Sequence, residues 1–397
     1  MAIVTTKVKR KYNNMQKISN KTITELNEDL FKDIISIRNN AFYGCNSLVS
    51  IVIPNNIRNL GDSAFKRCTS LTSATLFVNN TNCGTSVFED CSALRNVNVL
   101  SNFTSIPNYF CQNCTSLTSV NLPSSLTTIG SYAFRDCTSL ESINLPSSLT
   151  SIGGSAFQDC TSLESINLPS SLTIIYGGVF QGCTSLTSVN LPSSLTTIGY
   201  AAFKDCTSLT SISFPSSLTA VNSDAFENTG LTSVTIPSGM PYNAFSVFRN
   251  CKNLKSVTLS GPIGPSWFSG CTSLEKLTIN DANALTHGGT FENLTSINDI
   301  SLVDDIVIPQ DCFKGCTGLA SIIIPQGASL GAYAFSGCTS LASVTVNDTT
   351  PISCTSVTFN NTSPNLVIYV PAESVEAYKV ASGWSTYASL IQAIPSE

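Results

Sequence analysis

The hydrophobic and polar positions along this chain repeat with a fixed period of 23 residues. A phenylalanine marks the period most regularly, at Phe42, Phe65, Phe88, Phe134, Phe157, Phe180, Phe203 and Phe226. The count reaches fourteen positions, with Phe359 a degenerate fifteenth, by way of Cys111, Phe248, Phe268, Phe291, Phe313 and Phe335. Such a period predicts a solenoid in which each copy buries its apolar face only against neighbouring copies.

The copy at residues 117–139 shows what each part of the repeat is expected to do. Residues 117–122 alternate apolar and polar side chains, which predicts a short strand with one face turned inward. Pro123 ends that strand by removing a backbone donor, and Gly130 is expected to let the chain bend. Residues 133–137 predict a short helical or 3-10 turn that packs a phenylalanine ring. Successive strands should pair in parallel about 4.8 Å apart.

The pattern predicts three regions: a basic arm at residues 1–22, a solenoid at residues 23–370 and a helical cap at residues 371–397. The strand at residues 367–371 is expected to be the last. A helix at residues 372–391 should then cover the open end of the sheet with Val375, Tyr378, Trp384, Tyr387 and Ile391. After Phe226 the spacing of 23 gives way to values between 20 and 23, so specific features are expected in the second half.

Two motifs connect the chain to a known family: Ile-Gly-x-x-Ala-Phe-x-x-Cys-x-Ser-Leu and Leu-Pro-x-x-Leu. Over roughly residues 24–395 they resemble the BspA-like, Treponema pallidum type, leucine-rich repeats. The tail Val-Pro-Ala-Glu-Ser-Val-Glu-Ala-Tyr resembles the C-terminal cap of that family. The resemblance implies an α/β-type leucine-rich repeat solenoid, curved and right-handed, with short parallel strands and 3-10 or short helical turns. It also implies a non-catalytic, surface-displayed adhesion protein that binds a host protein or glycan.

Charge distinguishes the first residues from the rest of the chain. Only 11% of residues are charged and 42% are hydrophobic, so the surface should be polar and weakly charged. The net charge is −5, yet residues 1–22 contain six basic and no acidic side chains. Charge runs are usually solvated, and this one lacks the aromatic interleaving of a nucleic-acid site. We therefore expect no nucleic-acid partner, and a docking arm that includes Lys7, Lys9, Arg10 and Lys11.

No apolar run of signal-peptide length occurs in residues 1–22, and no stretch of the sequence is long and apolar enough for membrane insertion. The chain is thus expected on the exposed surface of a cell or a virion by a route that the sequence does not specify. Similar repeats occur among proteins of gut-associated phages. The alternative hypothesis is therefore a structural phage virion component, a capsid or tail decoration or host-attachment protein, anchored to an assembly partner by the arm.

The cysteine pattern predicts packing rather than chemistry. Twelve of the 16 cysteines follow the repeat, so they are expected to be reduced, buried thiols. The pair Cys111 and Cys114 has the spacing of a redox motif but no thioredoxin-like surroundings, and Phe110 is expected to turn inward in place of Cys111. Cys83, Cys312 and Cys354 lie off the ladder, and their roles stay open.

His287 is the only histidine, which argues against a catalytic triad or a histidine-based metal cluster. The sequence therefore predicts no enzyme, no metal site and no cofactor. The remaining candidate is the concave strand face, because solenoids bind through such surfaces. Its columns of serine and asparagine become varied in the second half. The candidate ligand-binding residues there are Lys255, Trp267, Glu275, Lys276 and Asp299; a solvated sheet that binds nothing is the alternative.

Overall fold

The computed structural model describes residues 25–26, 31, 34–77, 82–100, 102–240 and 243–395. Over those residues the chain forms a parallel β-solenoid of about 15 turns with a spacing of about 23 residues, which confirms the predicted fold. The chain divides into two compact units, Met1–Leu209 and Thr210–Glu397. Lys7, Lys9, Arg10 and Lys11 lie outside the described residues, so the docking arm stays a prediction.

The first unit contains 15 described strands in two classes. Longer strands form sheets in the order β1-β3-β5-β7-β9 and β12-β14, and two-residue strands form the orders β2-β4-β6 and β11-β10-β8, with β13 paired to β15. Their bounds are β1 Glu25–Leu26, β2 Ser36–Ile37, β3 Ser50–Ile53, β4 Asn59–Leu60, β5 Ser73–Leu76, β6 Asn82–Cys83, β7 Asn96–Val99, β8 Ser105–Ile106, β9 Ser119–Asn121, β10 Thr128–Ile129, β11 Ser151–Ile152, β12 Ser165–Asn167, β13 Ile174–Ile175, β14 Ser188–Asn190 and β15 Thr197–Ile198.

The second unit continues the same design and ends in short helices. Its sheets have the orders β17-β18-β19-β20, β21-β23 and β22-β24-β25-β26. The strands are β16 Ala220–Val221, β17 Ser233–Ile236, β18 Ser256–Leu259, β19 Lys276–Ile279, β20 Asp299–Ser301, β21 Val307–Ile308, β22 Ser321–Ile324, β23 Ser329–Leu330, β24 Ser343–Val346, β25 Val367–Val370 and β26 Ile391–Ala393. The α-helix α1 covers Val375–Val380, between 3-10 helices at Ala372–Ser374 and Ser385–Leu390.

The phenylalanine turn is a third hydrogen-bonded ladder. Within one turn the Cys137 N–H donates to the Phe134 carbonyl at 3.2 Å, the i to i+3 bond expected of a 3-10 turn. Between turns, the Phe134 N–H donates to the Ala156 carbonyl at 2.8 Å. Tyr132 and Asp136, at the two ends of this segment, both have φ of 59° in the left-handed region. Every second N–H, from Tyr132, Phe134 and Asp136, donates to a carbonyl of the next repeat, which does not happen in a regular helix.

Stacked rings and thiols fill the core behind these turns. Phe157 lies between Phe134 and Phe180, with ring centroids 5.5 and 5.8 Å away and nearly parallel planes. The Cys160 thiol donates to the Phe134 carbonyl at 3.1 Å, and this contact recurs along the column. The thiol therefore serves as both a small apolar filler and a weak donor. All 16 cysteines are free thiols.

The exceptions to the repeat keep its packing. Cys111 is buried at a phenylalanine position, and Phe110 is buried with its ring edge-on to Phe88 at 5.4 Å, as predicted. Off the ladder, Cys83 pairs in register with Leu60 in the two-residue strands. Cys312 directly precedes Phe313 and is buried, where most other copies have alanine or valine. Both thiols thus occupy apolar positions of the repeat.

Gly130 serves a different purpose from the predicted bend. Its φ is not in the left-handed region, and a Cβ added there would lie 2.5 Å from the Asn108 backbone nitrogen. The glycine is therefore required because the backbones of neighbouring repeats approach each other closely. Just before it lies the two-residue strand β10, which pairs with β8 and β11.

The C-terminal helix predicted at residues 372–391 is wrong in length. Helix α1 ends at Val380, and Gly383 has φ of 80°, where an added Cβ would overlap the Cys354 carbonyl. The strand β26 then pairs in parallel with β25, so β25 is not the last strand. Four of the five predicted end residues are nevertheless buried: Tyr378, Trp384, Tyr387 and Ile391. The division at residues 22/23 and 370/371 stays a prediction.

Candidate functional site

The strand face of the second unit is defined here as the outward side chains of β17–β20, β22, β24 and β25. Alternation within each strand places Val257 and Leu277 in the core and their neighbours outside. One row across the sheet contains Ser233, Ser256, Lys276 and Asp299 in register. The next row contains Thr235, Thr258, Thr278 and Ser301. The face is therefore hydroxyl-rich, with charges confined to two adjacent strands.

Lys276 and Asp299 form an ion pair on this face. The Lys276 Nζ lies 2.8 Å from the Asp299 Oδ2, and their side chains are 55% and 49% exposed. An exposed pair of this kind contributes about 1 kcal/mol or less to stability. Either side chain can therefore pair with a charged group of a bound molecule instead, with little loss of folding free energy.

Lys255 and Glu275 lie one residue ahead of this row. The Lys255 carbonyl accepts hydrogen bonds from the Glu275 and Lys276 amides at 2.9 and 3.0 Å, and both side chains are exposed. The parallel ladder thus brings Lys255, Glu275, Lys276 and Asp299 onto neighbouring strands. Four of the five predicted site residues are gathered in one place, and their role in binding stays a prediction.

Trp267 is not on this surface, contrary to the prediction. The side chain is fully buried, and its indole N–H donates to the Ala244 carbonyl at 2.8 Å. Its ring packs edge-on against Phe248 with centroids 5.8 Å apart. Trp267 directly precedes Phe268 and so occupies the position that alanine or valine fills in most other copies. The repeat pattern contained the signal, because every described copy after the first buries the residue at that position.

Two residues that the sequence reading missed also lie on the strand face. Ile323 is 59% exposed on β22, and Tyr369 is half-buried on β25. Thr345 on β24 pairs with both of them in register. They break an otherwise polar column at outward positions, a signal visible in the alternation of residues 321–324 and 367–370. An exposed apolar group and an aromatic ring therefore share this face with the charged rows.

Other candidate chemistry is sparse in the described part of the chain. The His287 Nδ1 lies 2.8 Å from the hydroxyl of the adjacent Thr286. Among the described residues, no group of three or more histidine, cysteine or acidic side chains is arranged to hold a metal ion. The same residues include no helix long and apolar enough to cross a membrane.

Comparison with protein families and solved structures identifies relatives of this chain. The profile of the BspA type leucine rich repeat region matches six copies, over residues 19–141, 127–255, 180–280 and 244–366. A leucine-rich repeat protein from Bacteroides ovatus is 28% identical, with 91% of this chain and 88% of that chain covered and a TM-score of 0.67. The Treponema pallidum leucine-rich repeat protein is 26% identical, with 49% and 70% covered and a TM-score of 0.30. A comparison with curated protein sequences found no match.

These relatives indicate the general class of activity. Leucine-rich repeat proteins of this kind are binding scaffolds for protein interaction or adhesion and are generally non-catalytic. Neither the comparisons nor the described residues link the chain to a virion. The alternative of a phage structural component rests on residues 1–22 and stays a prediction.

Proposed function

The chain belongs to the BspA-type leucine-rich repeat family, and from that premise we propose that it is a non-catalytic recognition protein that acts on an exposed surface. Its partner is a protein on a host or other cell. The binding surface is the strand face of the second unit, around Lys276 and Asp299.

The observation that carries this proposal is the local change in character of the strand face. The columns are serine, threonine and asparagine through most of the chain, but β19 to β25 present an ion pair, an exposed isoleucine and a tyrosine. Protein interfaces combine aromatic or apolar contacts with a polar rim. Ile323 and Tyr369 supply the former, while Lys255, Glu275, Lys276 and Asp299 supply the latter.

A glycan is the weaker candidate for this particular face. Sugars offer hydroxyls and flat apolar C–H surfaces, so their sites need exposed aromatic rings. Among the outward positions of the described strands in the second unit, Tyr369 is the one aromatic residue. A protein partner uses the mixed charges and the isolated isoleucine better than a sugar would.

The test measures binding of fluorescently labelled protein to cultured epithelial cells by flow cytometry. Protease treatment of the cells should abolish binding that depends on the strand face, and periodate oxidation of their sugars should leave it intact. The combined variant Lys255→Ala, Glu275→Ala, Lys276→Ala is expected to weaken this binding about tenfold or more. Unchanged binding by this variant would overturn the placement.

A matched control exists in the first unit. Arg95, Glu141 and Glu164 are exposed at the register position of Lys255 and Glu275, and their carbonyls accept the same bond from the next repeat. Changing these three residues to alanine also removes three charges, one basic and two acidic, whereas the test variant removes two basic and one acidic. Binding should stay within about twofold of the wild type. An equal loss in both variants would mean that charge in general, rather than this patch, promotes attachment.

A further inference from the structure

Tyrosines are concentrated on the turns of the first unit rather than on its strands. The turn face is defined here as the exposed side chains of the phenylalanine-containing turns between residues 105 and 205. It includes Tyr109, Tyr176 and Tyr200, which are 37%, 44% and 58% exposed, and the partly exposed Tyr132. No aliphatic or methionine side chain in this range of turns is exposed to a comparable extent. The exposed apolar surface of these turns is therefore made of tyrosine rings.

Tyr109 and Tyr132 form a stacked pair in consecutive repeats. Their ring centroids are 5.1 Å apart and their planes differ by 1°. The following repeats carry Ser155 and Gly178 at the same position of the turn. These residues are small, so the Tyr109 and Tyr132 stack ends at Tyr132, and the Arg135 guanidinium lies over the Tyr132 ring.

The backbone makes tyrosine a costly choice at this position. Tyr109 and Tyr132 have φ of 58° and 59°, in the left-handed region that bulky residues disfavour. Glycine or asparagine adopts this conformation with less strain, and Gly178 is the residue two repeats later. The same conformation recurs at this position in other repeats, for example at Ser86, Ser155 and Asp224, so the fold itself imposes it. Two exposed rings at strained positions therefore indicate a use for the rings beyond folding.

Tyr176 and Tyr200 stand among glycines. A Cβ added to Gly177 would lie 3.9 Å from the Tyr200 Cβ, and Gly154 precedes Gly177 in the same column. Gly199 occupies the position of Tyr176 in the next repeat, and its added Cβ would lie 2.6 Å from the Tyr176 carbonyl carbon. No side chain therefore fills the places beside these rings. Along the repeat direction they lie two and three repeats beyond Tyr132, about 10 and 14 Å at the strand spacing.

Hydrogen-bonding groups border the rings. The Arg135 guanidinium carbon lies 5.8 Å from the Tyr132 ring centroid, and the Arg135 Nε lies 3.3 Å from the Asp136 Oδ2. In the next two repeats Gln158 and Gln181 occupy the position of Arg135 and are partly exposed. The Gln181 Oε1 would lie 3.5 Å from a Cβ on Gly178, which places the amide beside the glycines. These groups supply both donors and acceptors for hydroxyls.

We propose that the turn face of the first unit is a binding site for a neutral oligosaccharide. The sugar rings would stack their C–H faces on Tyr176 and Tyr200 at one end. At the other end, across the glycines, they would contact the pair of Tyr109 and Tyr132, over which Arg135 lies. Gln158, Gln181 and Arg135 would hydrogen-bond the hydroxyls. The site is separate from the strand face of the proposed function and does not depend on it.

The surrounding residues favour a sugar over other ligands. A protein interface core combines aromatic with other large apolar contacts, whereas the turns here expose tyrosines separated by glycine and serine. A single-stranded nucleic acid also stacks on aromatics but requires a positively charged groove. On this face Arg135 and Lys204 are outnumbered by Asp136, Asp159 and Asp205. A neutral ligand with hydroxyls and flat faces fits these turns best.

The experiment is calorimetric titration of the full chain with four hexasaccharides: β-1,4-glucan, β-1,4-N-acetylglucosamine, α-1,4-glucan and β-1,3-glucan. At least one should bind with a Kd of about 1 mM or lower, and the variant Tyr176→Ala, Tyr200→Ala should raise that Kd about tenfold. The variant Tyr109→Gly, Tyr132→Gly should do the same while leaving the thermal midpoint unchanged or higher, because glycine relieves the left-handed strain. Tyr132→Phe keeps the ring and should keep most of the affinity.

The control variant is Tyr43→Ala, Tyr333→Ala, which removes two exposed turn tyrosines outside this range and should leave the Kd within about twofold. Absence of binding by all four sugars up to about 10 mM, or equal affinity of the tyrosine variants, would overturn the proposal. A protein partner on this face would be revealed if cell binding lost in the tyrosine variants were sensitive to protease but not to periodate. That result would also overturn it.

Discussion

The strand face of the second unit and the turn face of the first unit use different parts of one repeat pattern, and these parts constrain their residues very differently. An outward strand position has extended backbone that accepts almost any side chain, so columns of serine and threonine tolerate a Lys276 or an Asp299 without strain. A turn position is left-handed or pressed against the neighbouring backbone, and it favours glycine, asparagine, aspartate or serine. A tyrosine in the turn is therefore stronger evidence of a functional role than a charged residue on the strand. Tyr109 and Tyr132 are therefore unusual residues for their positions, whereas the serines and asparagines of the sheet are not.

Removing a ring from the phenylalanine column should have the largest effect on the turn side. Phe157 is fully buried between two parallel rings, so Phe157→Ala is expected to destabilise the protein by about 3–5 kcal/mol. Urea unfolding followed by circular dichroism measures the loss. Ser165→Ala, an exposed change at a strand position, should shift the unfolding free energy by no more than about 0.5 kcal/mol. Comparable losses in both variants would remove the contrast between the two faces.

Close backbone approach should have the next largest effect. Gly130→Ala places a methyl group 2.5 Å from the Asn108 nitrogen, and a loss of about 1–3 kcal/mol is expected. Gly239 is the matched control, because its φ is also outside the left-handed region and no atom lies within 4 Å of an added Cβ. Gly239→Ala should be neutral or stabilising by up to about 1 kcal/mol. The difference in urea midpoint between the two variants tests whether glycine in the turn is required by contact.

Ionisation of the buried thiols should have a smaller effect on the free energy of unfolding, and this effect depends on pH. Burial, with a lesser contribution from Asp62, raises the pKa of Cys83 from 9.0 to about 12. The folded protein therefore holds this proton more tightly than the unfolded chain, and stability is fully present below pH 9 and falls as pH rises toward 12. Each such thiol contributes a slope of up to about 1.4 kcal/mol per pH unit.

Cys83→Val should reduce the slope of the unfolding free energy against pH by the contribution of one thiol. Urea midpoints of the wild type and the variant at about pH 7, 9 and 10.5 measure the difference. Cys338, a member of the turn column whose pKa burial also raises to about 12, is the comparison site. Parallel curves for the wild type and Cys83→Val would show that this thiol ionises as easily in the folded chain as in the unfolded one.

Much of the fold could be predicted from the position of each residue within the 23-residue repeat. The 23-residue count assigned Phe134, Cys137 and Val120 to the core, and all three are buried. The count also predicted that Phe110 would replace the missing ring at Cys111. It was wrong where the local pattern was ambiguous: residues 372–391 have helical spacing, but Gly383 and the pairing of β26 with β25 divide them.

The candidate site was less accessible to sequence reasoning. Charged residues were recognised by type, and the parallel register gathers Lys255, Glu275, Lys276 and Asp299 as expected. Trp267 was assigned to the surface because tryptophan is common at interfaces, although its place before Phe268 dictated burial. Tyr109, Tyr132, Tyr176 and Tyr200 drew no attention because nothing local shows that their neighbours 23 residues away are small.

The sequence by itself determined the period, the inward positions and the parallel order of the strands, because each follows from apolar spacing within one copy. Only the tertiary structure decided which turn residues are left-handed, which glycines are pressed against a neighbouring backbone, and which aromatic rings stay uncovered. Those properties depend on hydrogen bonds and contacts between copies that are distant in sequence. The hydrogen bond from the Phe134 amide to the Ala156 carbonyl and the exposure of the Tyr200 ring both arise in this way.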